Sequence, residues 1–123
     1  GELISCAITL KEADELIGTV GLSVTKKFNH AELGCWIDKD CWGEGYATEA
    51  AKALLDYGFS SHGLHKVFAK HLARNPASGK VLEKLGMKKE GLFKEHVLKS
   101  NKYEDIVMCG ILKAEWNKNR KIK

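Results

Sequence analysis

The stretch Ala31–Ala51, AELGCWIDKDCWGEGYATEAA, reads as a strand, a glycine-bearing turn and the first turns of a helix. Ala31–Ile37 alternates and ends in an apolar run, as a half-buried strand does. Asp38-Lys39-Asp40 breaks that run. Trp42-Gly43-Glu44-Gly45-Tyr46-Ala47 then leads into Thr48–Leu55, rich in helix formers. The first N–H groups of a helix have no partner inside it, and the macrodipole adds positive charge there. Glycines just ahead let the backbone curl towards a ligand. The predicted product is an anion cradle suited to phosphate or pyrophosphate.

Two familiar phosphate loops do not fit. The Walker pattern puts Lys-Ser/Thr after its last glycine, whereas Tyr46-Ala47 follows Gly45. The dinucleotide pattern needs three spaced glycines opening the first strand–helix unit. Gly43 and Gly45 lack the third.

Working outward, Leu3–Leu10 and Leu16–Val24 read as a hairpin turning at Ala13-Asp14-Glu15. Gly18 and Gly21 suggest a bulge or a close backbone approach. After the cradle, Ala47, Ala50, Ala51, Leu54 and Gly58 share one helical stripe, which predicts a helix lying on a sheet. Gly63 stands at its stop. Lys66–Leu72 is the next strand, and its connection implies parallel pairing with Ala31–Ile37. Asn75 caps a second helix, with Pro76 in its first position and Ser78, Val81, Leu82 and Leu85 on one face. Gly86 ends it. Gly91–Lys99 and Tyr103–Leu112 form a last hairpin around Ser100–Lys102. The fold class is α+β: a mixed, mostly antiparallel sheet with two packed helices, in one domain over residues 1–123.

At 123 residues, 44% hydrophobic and 29% charged, the chain has the composition of a soluble globular domain. No apolar run approaches the roughly 20 residues that span a bilayer, and no secretory signal is visible, so a cytoplasmic, non-membrane protein is expected. The net charge of +4 equals the surplus of five bases over one acid from Lys113 onward. That surplus reads as a solvated basic tail from about residue 117, which argues against nucleic acid as a partner. Cys6, Cys35, Cys41 and Cys109 form no C-x-x-C pair and fit a reducing compartment. Buried small side chains are the plain reading of them, and a catalytic thiol at Cys35 or Cys41 the sharper one. His62 and His65 lack a third ligand at zinc spacing, so no metal is expected.

Three blocks resemble one family. Trp42-Gly43-Glu44-Gly45-Tyr46-Ala47 is similar to the pyrophosphate loop of the GNAT acetyltransferases, Gln/Arg-x-x-Gly-x-Gly/Ala. Trp42 stands where Gln or Arg is usual, as in the RimJ/RimL-like N-terminal amine acetyltransferases. Asn75-Pro76-Ala77-Ser78 through Lys84-Leu85-Gly86-Met87 resembles that branch's Asn-x-x-Ser…Lys-Leu-Gly-Phe segment. Tyr103-Glu104-Asp105 and Leu112–Trp116 supply the third block. The resemblance implies a GNAT-like fold, acetyl-coenzyme A as cofactor, and a V-shaped slot where the two parallel strands splay. It also places one more strand and one or two helices ahead of Leu3, so the sequence reads as an N-terminally truncated domain.

What the resemblance implies for single residues follows. Trp42, Gly43, Glu44, Gly45, Tyr46 and Ala47 form the coenzyme A loop, with Trp42 packing as lid or core. The Ile37 carbonyl bonds the pantetheine amides like a strand, and a backbone N–H near Trp36–Ile37 polarises the thioester oxygen. Asn75 bonds the pantetheine arm. Glu32 is the general-base candidate, against a plain solvent-facing carboxylate. The Tyr acid of many members would fall at Leu82 and is missing, which leaves Ser78 as the candidate acid near the thioester sulfur. His96 and Asp105 are candidates to face the groove from the last hairpin, and Asp105, which matches a family position, is alternatively a residue that fixes the hairpin. Tyr103 and Trp116 are expected to pack.

The expected activity is direct acetyl transfer to a primary amine, with a protein or peptide N-terminus, ribosomal proteins included, as acceptor. Two alternatives stay open: a coenzyme-binding module without turnover, and an interaction domain whose Leu3 edge strand pairs with another chain, for instance in a homodimer.

Overall fold

Every second residue of the central strands is apolar, and the buried ones share one face of a sheet. The computed structural model describes residues 2–10, 15–37 and 45–121. Its elements are β1 (Glu2–Leu10), β2 (Glu15–Thr25), β3 (His30–Ile37), α1 (Tyr46–Ser60), β4 (Lys66–Leu72), α2 (Pro76–Lys84), β5 (Lys88–Lys99), β6 (Lys102–Leu112) and α3 (Lys113–Lys121). The strands form a six-stranded sheet in the order β1-β2-β3-β4-β6-β5. Among the described residues only the β3–β4 pair is parallel, as the connection through α1 requires.

Val20, Leu22 and Val24 of β2, Ala31 and Leu33 of β3, Val67 and Ala69 of β4, and Cys109 and Ile111 of β6 are buried. α1 covers them with Ala51, Leu54, Leu55 and Phe59, and α2 adds Leu82 and Leu85. Of the predicted stripe of α1, Ala51, Leu54 and Gly58 are buried and Ala50 is half-buried, while the Ala47 side chain lies outside the described set; Leu55 and Phe59 widen it. Gly58 marks the closest approach. A Cβ there would lie 2.9 Å from Leu64 Cδ1 and 3.0 Å from Leu22 Cδ1. The expected irregularity of the first hairpin is also present, as a register shift opposite Gly18.

Two boundaries and one environment differ from the sequence reading. β5 begins at Lys88 rather than Gly91. It is an edge strand, so Lys88–Glu90 can pair with β6 and still face water. The final hairpin turns through Ser100 and Asn101 at φ 53° and 63°, a left-handed pair matching a two-residue turn. Tyr103, expected to pack, is instead 60% exposed beside that tip. It pairs across the strands with Leu98, itself 60% exposed.

A third helix, α3, adds to the expected two. The residues read as a basic end continue into it, and Asn117 and Lys118 are exposed there. Trp116 anchors it. The indole is 6% exposed, lies 6.0 Å from the Phe59 ring, and donates from Nε1 to Asp56 Oδ1 at 2.7 Å. Glu115 Oε1 accepts the Leu112 N–H at 2.9 Å, the reciprocal half of a capping box. That N–H, with a smaller contribution from Lys88, holds the Glu115 carboxyl below its ordinary range.

Two stability outcomes follow. Trp116→Ala lowers unfolding free energy by about 3–5 kcal/mol, whereas Trp116→Phe keeps ring packing and loses about 1 kcal/mol with the indole–Asp56 hydrogen bond. Urea titration separates the two. The Glu115 contribution is complete above the unfolded carboxyl value of about 4.3 and fades as pH falls through the lowered folded value. Glu115→Gln therefore removes that part of the acid dependence.

Candidate active site

β3 and β4 are paired over three rungs only: His30 with Lys66, Ala31 with Val67, and Glu32 with Phe68. Both strands run on, β3 to Ile37 and β4 to Leu72. The outer edge of β3 stays paired with β2 as far as Ile37, opposite Gly18. The outer edge of β4 stays paired with β6 as far as Leu72, opposite Ile106. Each strand is thus held from outside and parted from its neighbour inside. The result is a fork in the middle of the sheet. Along its arms, peptide groups of Leu33–Ile37 and Ala69–Leu72 lie outside the β3–β4 ladder and can bond a guest as a strand would.

Both helix N-termini follow the open ends of the two arms, the usual place for ligands of parallel strands. α1 starts from Gly45, whose φ of 80° is left-handed. A Cβ at Gly45 would meet nothing within 4 Å, so the demand for glycine is conformational. The Gly45 carbonyl takes the Glu49 N–H at 3.0 Å, and no side chain caps the helix. Its first amides therefore have no side-chain acceptor from residue 45. Tyr46 and Ala47 are the first helical residues, and their side chains lie outside the described set. So do Trp42, Gly43 and Glu44 entirely, with Asp38–Cys41; Ile37 is described by its backbone alone.

α2 starts as predicted. Asn75 Oδ1 accepts the Ser78 N–H at 3.4 Å, Pro76 follows, and Ser78 is half-buried. Asn75 thus fills the capping role, and its amide NH2 remains a donor group at the helix mouth. His71 on β4 lies beneath this turn. A Cβ at Gly79 would be 3.2 Å from His71 Nε2. His71 Nδ1 lies 2.8 Å from the Leu72 carbonyl, so Nδ1 carries the donated proton and Nε2 faces the helix. Leu82, at the place expected for a Tyr acid, is a buried core side chain.

Glu32 sits on the last rung. Its neighbours Ala31 and Leu33 are buried under the helices, so its carboxylate projects from the opposite face. Glu32 Oε2 lies 3.3 Å from Lys70 Nζ, with both side chains more than a third exposed. Lys70 is two residues beyond Phe68, already on the parted arm, so the ion pair spans the fork at its apex. Sequence reading missed Lys70. Alternation could have placed it on that face, but the parallel register that brings it to Glu32 is not local. Nearby on the same face are the His30 and Phe68 rings, 5.3 Å apart, and the Lys66–Glu90 pair at 2.7 Å.

Other candidates have structural settings. Asp105 Oδ1 accepts the Glu95 N–H at 2.7 Å and holds the bulge where Glu95 takes φ 47°. Asp105 therefore fixes the hairpin. His96 is exposed, with its ring 5.1 Å from Phe93. Cys109 is buried, and burial, with Glu90 nearby, raises its thiol pKa. The Cys6 and Cys35 side chains and all of Cys41 lie outside the described set. Among the described residues no three His, Cys, Asp or Glu side chains gather as metal ligands. No helix among them is long and apolar enough to cross a membrane.

Comparison with known proteins agrees with this geometry. The acetyltransferase (GNAT) domain model matches residues 1–88. The protein named "Uncharacterized N-acetyltransferase p20" of Bacillus licheniformis is 37% identical over 117 residues, covering 94% of this chain and 66% of its own length. The [ribosomal protein uS5]-alanine N-acetyltransferase of Escherichia coli is 30% identical over 108 residues, covering 86% of this chain and 56% of its own. A variant of the spermidine N-acetyltransferase SpeG from Vibrio cholerae superposes with a TM-score of 0.89 over 96% of this chain and 70% of that one. At 24% identity this likeness is one of fold. The chain spans 56–66% of the length of the two curated relatives. With the family model matched over most of its length and the fold shared, the chain belongs to the GNAT acetyltransferase family.

Proposed function

We propose that the chain is an acetyl-coenzyme A-dependent N-acetyltransferase whose acceptor is the α-amine of a protein or peptide. The fork between β3 and β4 carries this reading, because each open arm leads in the chain to a helix N-terminus. These parts suit the coenzyme. Amides at the start of α1, entered through left-handed Gly45, suit a pyrophosphate. The inner edges of the fork suit the amides of a pantetheine arm. Bound acetyl-coenzyme A supplies a thioester carbonyl open to attack by an amine.

The chain's own residues would then do the following. The Trp42–Ala47 loop holds the pyrophosphate, the Ile37 carbonyl and the Asn75 amide hold the arm, and a Trp36–Ile37 N–H polarises the thioester oxygen. Glu32 takes the proton from the acceptor amine at Oε2, directly or through a water. Ser78 Oγ returns a proton to the departing sulfur. A thiol near pKa 8.5 needs little help of that kind, which is consistent with Leu82 serving the core instead of an acid.

Two points favour an α-amine. It titrates near 7.7–8.0 against about 10.4 for lysine, a difference of roughly 3.5 kcal/mol in deprotonation cost. A single ion-paired carboxylate suits the easier task. The E. coli relative is named for an alanine of ribosomal protein uS5. The spermidine enzyme shares the fold at 24% identity and carries no weight for a polyamine acceptor.

Calorimetric titration of acetyl-coenzyme A should show one saturable site. Gly45→Val should stay folded, lose about 1–2 kcal/mol of stability to left-handed strain, and weaken binding at least about 10-fold. With an alanine-initiated peptide, free thiol should appear, and Glu32→Gln should slow its release by about 10²-fold. No binding by the folded chain would overturn the reading. Binding without thiol release would leave a coenzyme-binding module.

A further inference from the structure

We propose that Lys70 is an internal acetyl acceptor, modified by the acetyl-coenzyme A held in its own fork. The inference rests on the function proposed above and goes beyond it by naming a modification site. Its basis is the Glu32–Lys70 pair. Lys70 Nζ is 3.3 Å from Glu32 Oε2, so an amine already occupies the hydrogen-bonding position of an incoming acceptor. Lys70 also stands on the parted arm of β4, past the last rung, on the side where the fork opens.

The other ion-paired lysines are placed differently. Lys66 bonds Glu90 at 2.7 Å from the first rung, away from the opening. Lys88 lies 3.6 Å from Glu115, at the far side of β6. Lys70 is therefore the lysine, among these pairs, that combines a carboxylate proton acceptor with the fork. Tethering replaces an encounter by a side-chain rotation, so effective concentration offsets the higher pKa of an ε-amine.

The step balances without another reactant. The Lys70 ammonium gives one proton to Glu32. The freed Nζ lone pair forms the N–C bond to the acetyl carbonyl carbon, and the C–S bond breaks. The sulfur leaves with the electron pair and takes up the second nitrogen proton through solvent, and Glu32 releases the first proton to solvent. Acetyl-lysine, free coenzyme A thiol and one net proton result. The amide carries no charge, so it no longer pairs with Glu32, and an outside amine meets an unoccupied carboxylate.

The test incubates the full chain with acetyl-coenzyme A, without peptide, and follows each lysine by peptide mass mapping. Calorimetry on the same preparation records coenzyme binding. The expected result is one acetyl group on Lys70, added at least about 10-fold faster than on Lys66. Its rate should be independent of protein concentration and about 10-fold lower in Glu32→Gln. Lys70→Arg should keep the ion pair, bind coenzyme, and lose that acetyl group. Coenzyme binding with Lys70 modified no faster than Lys66, or at a rate rising with protein concentration, overturns this site alone. Absence of binding overturns both this site and the function it rests on.

Discussion

Two parallel strands that are paired on their outer edges and parted on their inner ones are the constraint on which the rest depends. A parallel ladder of three rungs is a short contact. It persists because β2 and β6 hold β3 and β4 along their lengths. The parted arms therefore keep their peptide groups available without the sheet coming apart. Those groups are obligatory hydrogen-bonding sites, and a sheet interior seldom leaves them outside a ladder. The opening makes chemical sense as a place where an extended, amide-bearing guest completes the sheet.

Packing on one face leaves the other free to carry polar groups. α1 and α2 cover the helix-facing side with Leu54, Leu55, Phe59, Leu82 and Leu85, and α3 closes its rim through Trp116. Gly58 and Ala51 let α1 sit low on β2 and β3. On the opposite face the side chains alternate in charge. Glu32 with Lys70, Lys66 with Glu90, and Arg74 with the buried Glu104 form pairs rather than a field of one sign. The Glu32–Lys70 and Lys66–Glu90 pairs are partly exposed and contribute little stability. Their importance here is chemical, because the pair at the apex places a carboxylate and an amine together beside the fork.

Much of this was legible in the sequence, and the exceptions have physical reasons. Alternation located the strands because one sheet face is buried. Gly45 was legible because a left-handed residue before a helix favours glycine. Asn75-Pro76 was legible because capping chemistry is local. The splay was an inference from family resemblance, since no local pattern encodes where a ladder stops. Lys70 escaped because its meeting with Glu32 depends on a parallel register set by contacts 38 residues apart in the chain. α3 escaped because its charged sequence has no apolar stripe and one indole anchors it. Tyr103 was misplaced because an aromatic side chain alone does not show that anything covers a hairpin tip. The loop Asp38–Glu44, on which much of the cradle reading rests, lies outside the described residues.

Amide hydrogen exchange with and without acetyl-coenzyme A tests the fork most directly, because it reads the peptide groups themselves. The account predicts added protection in two segments, Leu33–Ile37 on the arm of β3 and the first turn of α1 after Gly45, with the β1–β2 pairing unchanged. Coenzyme binding that protected neither segment, or that protected the β5–β6 hairpin instead, would contradict the placement of the cofactor between β3 and β4.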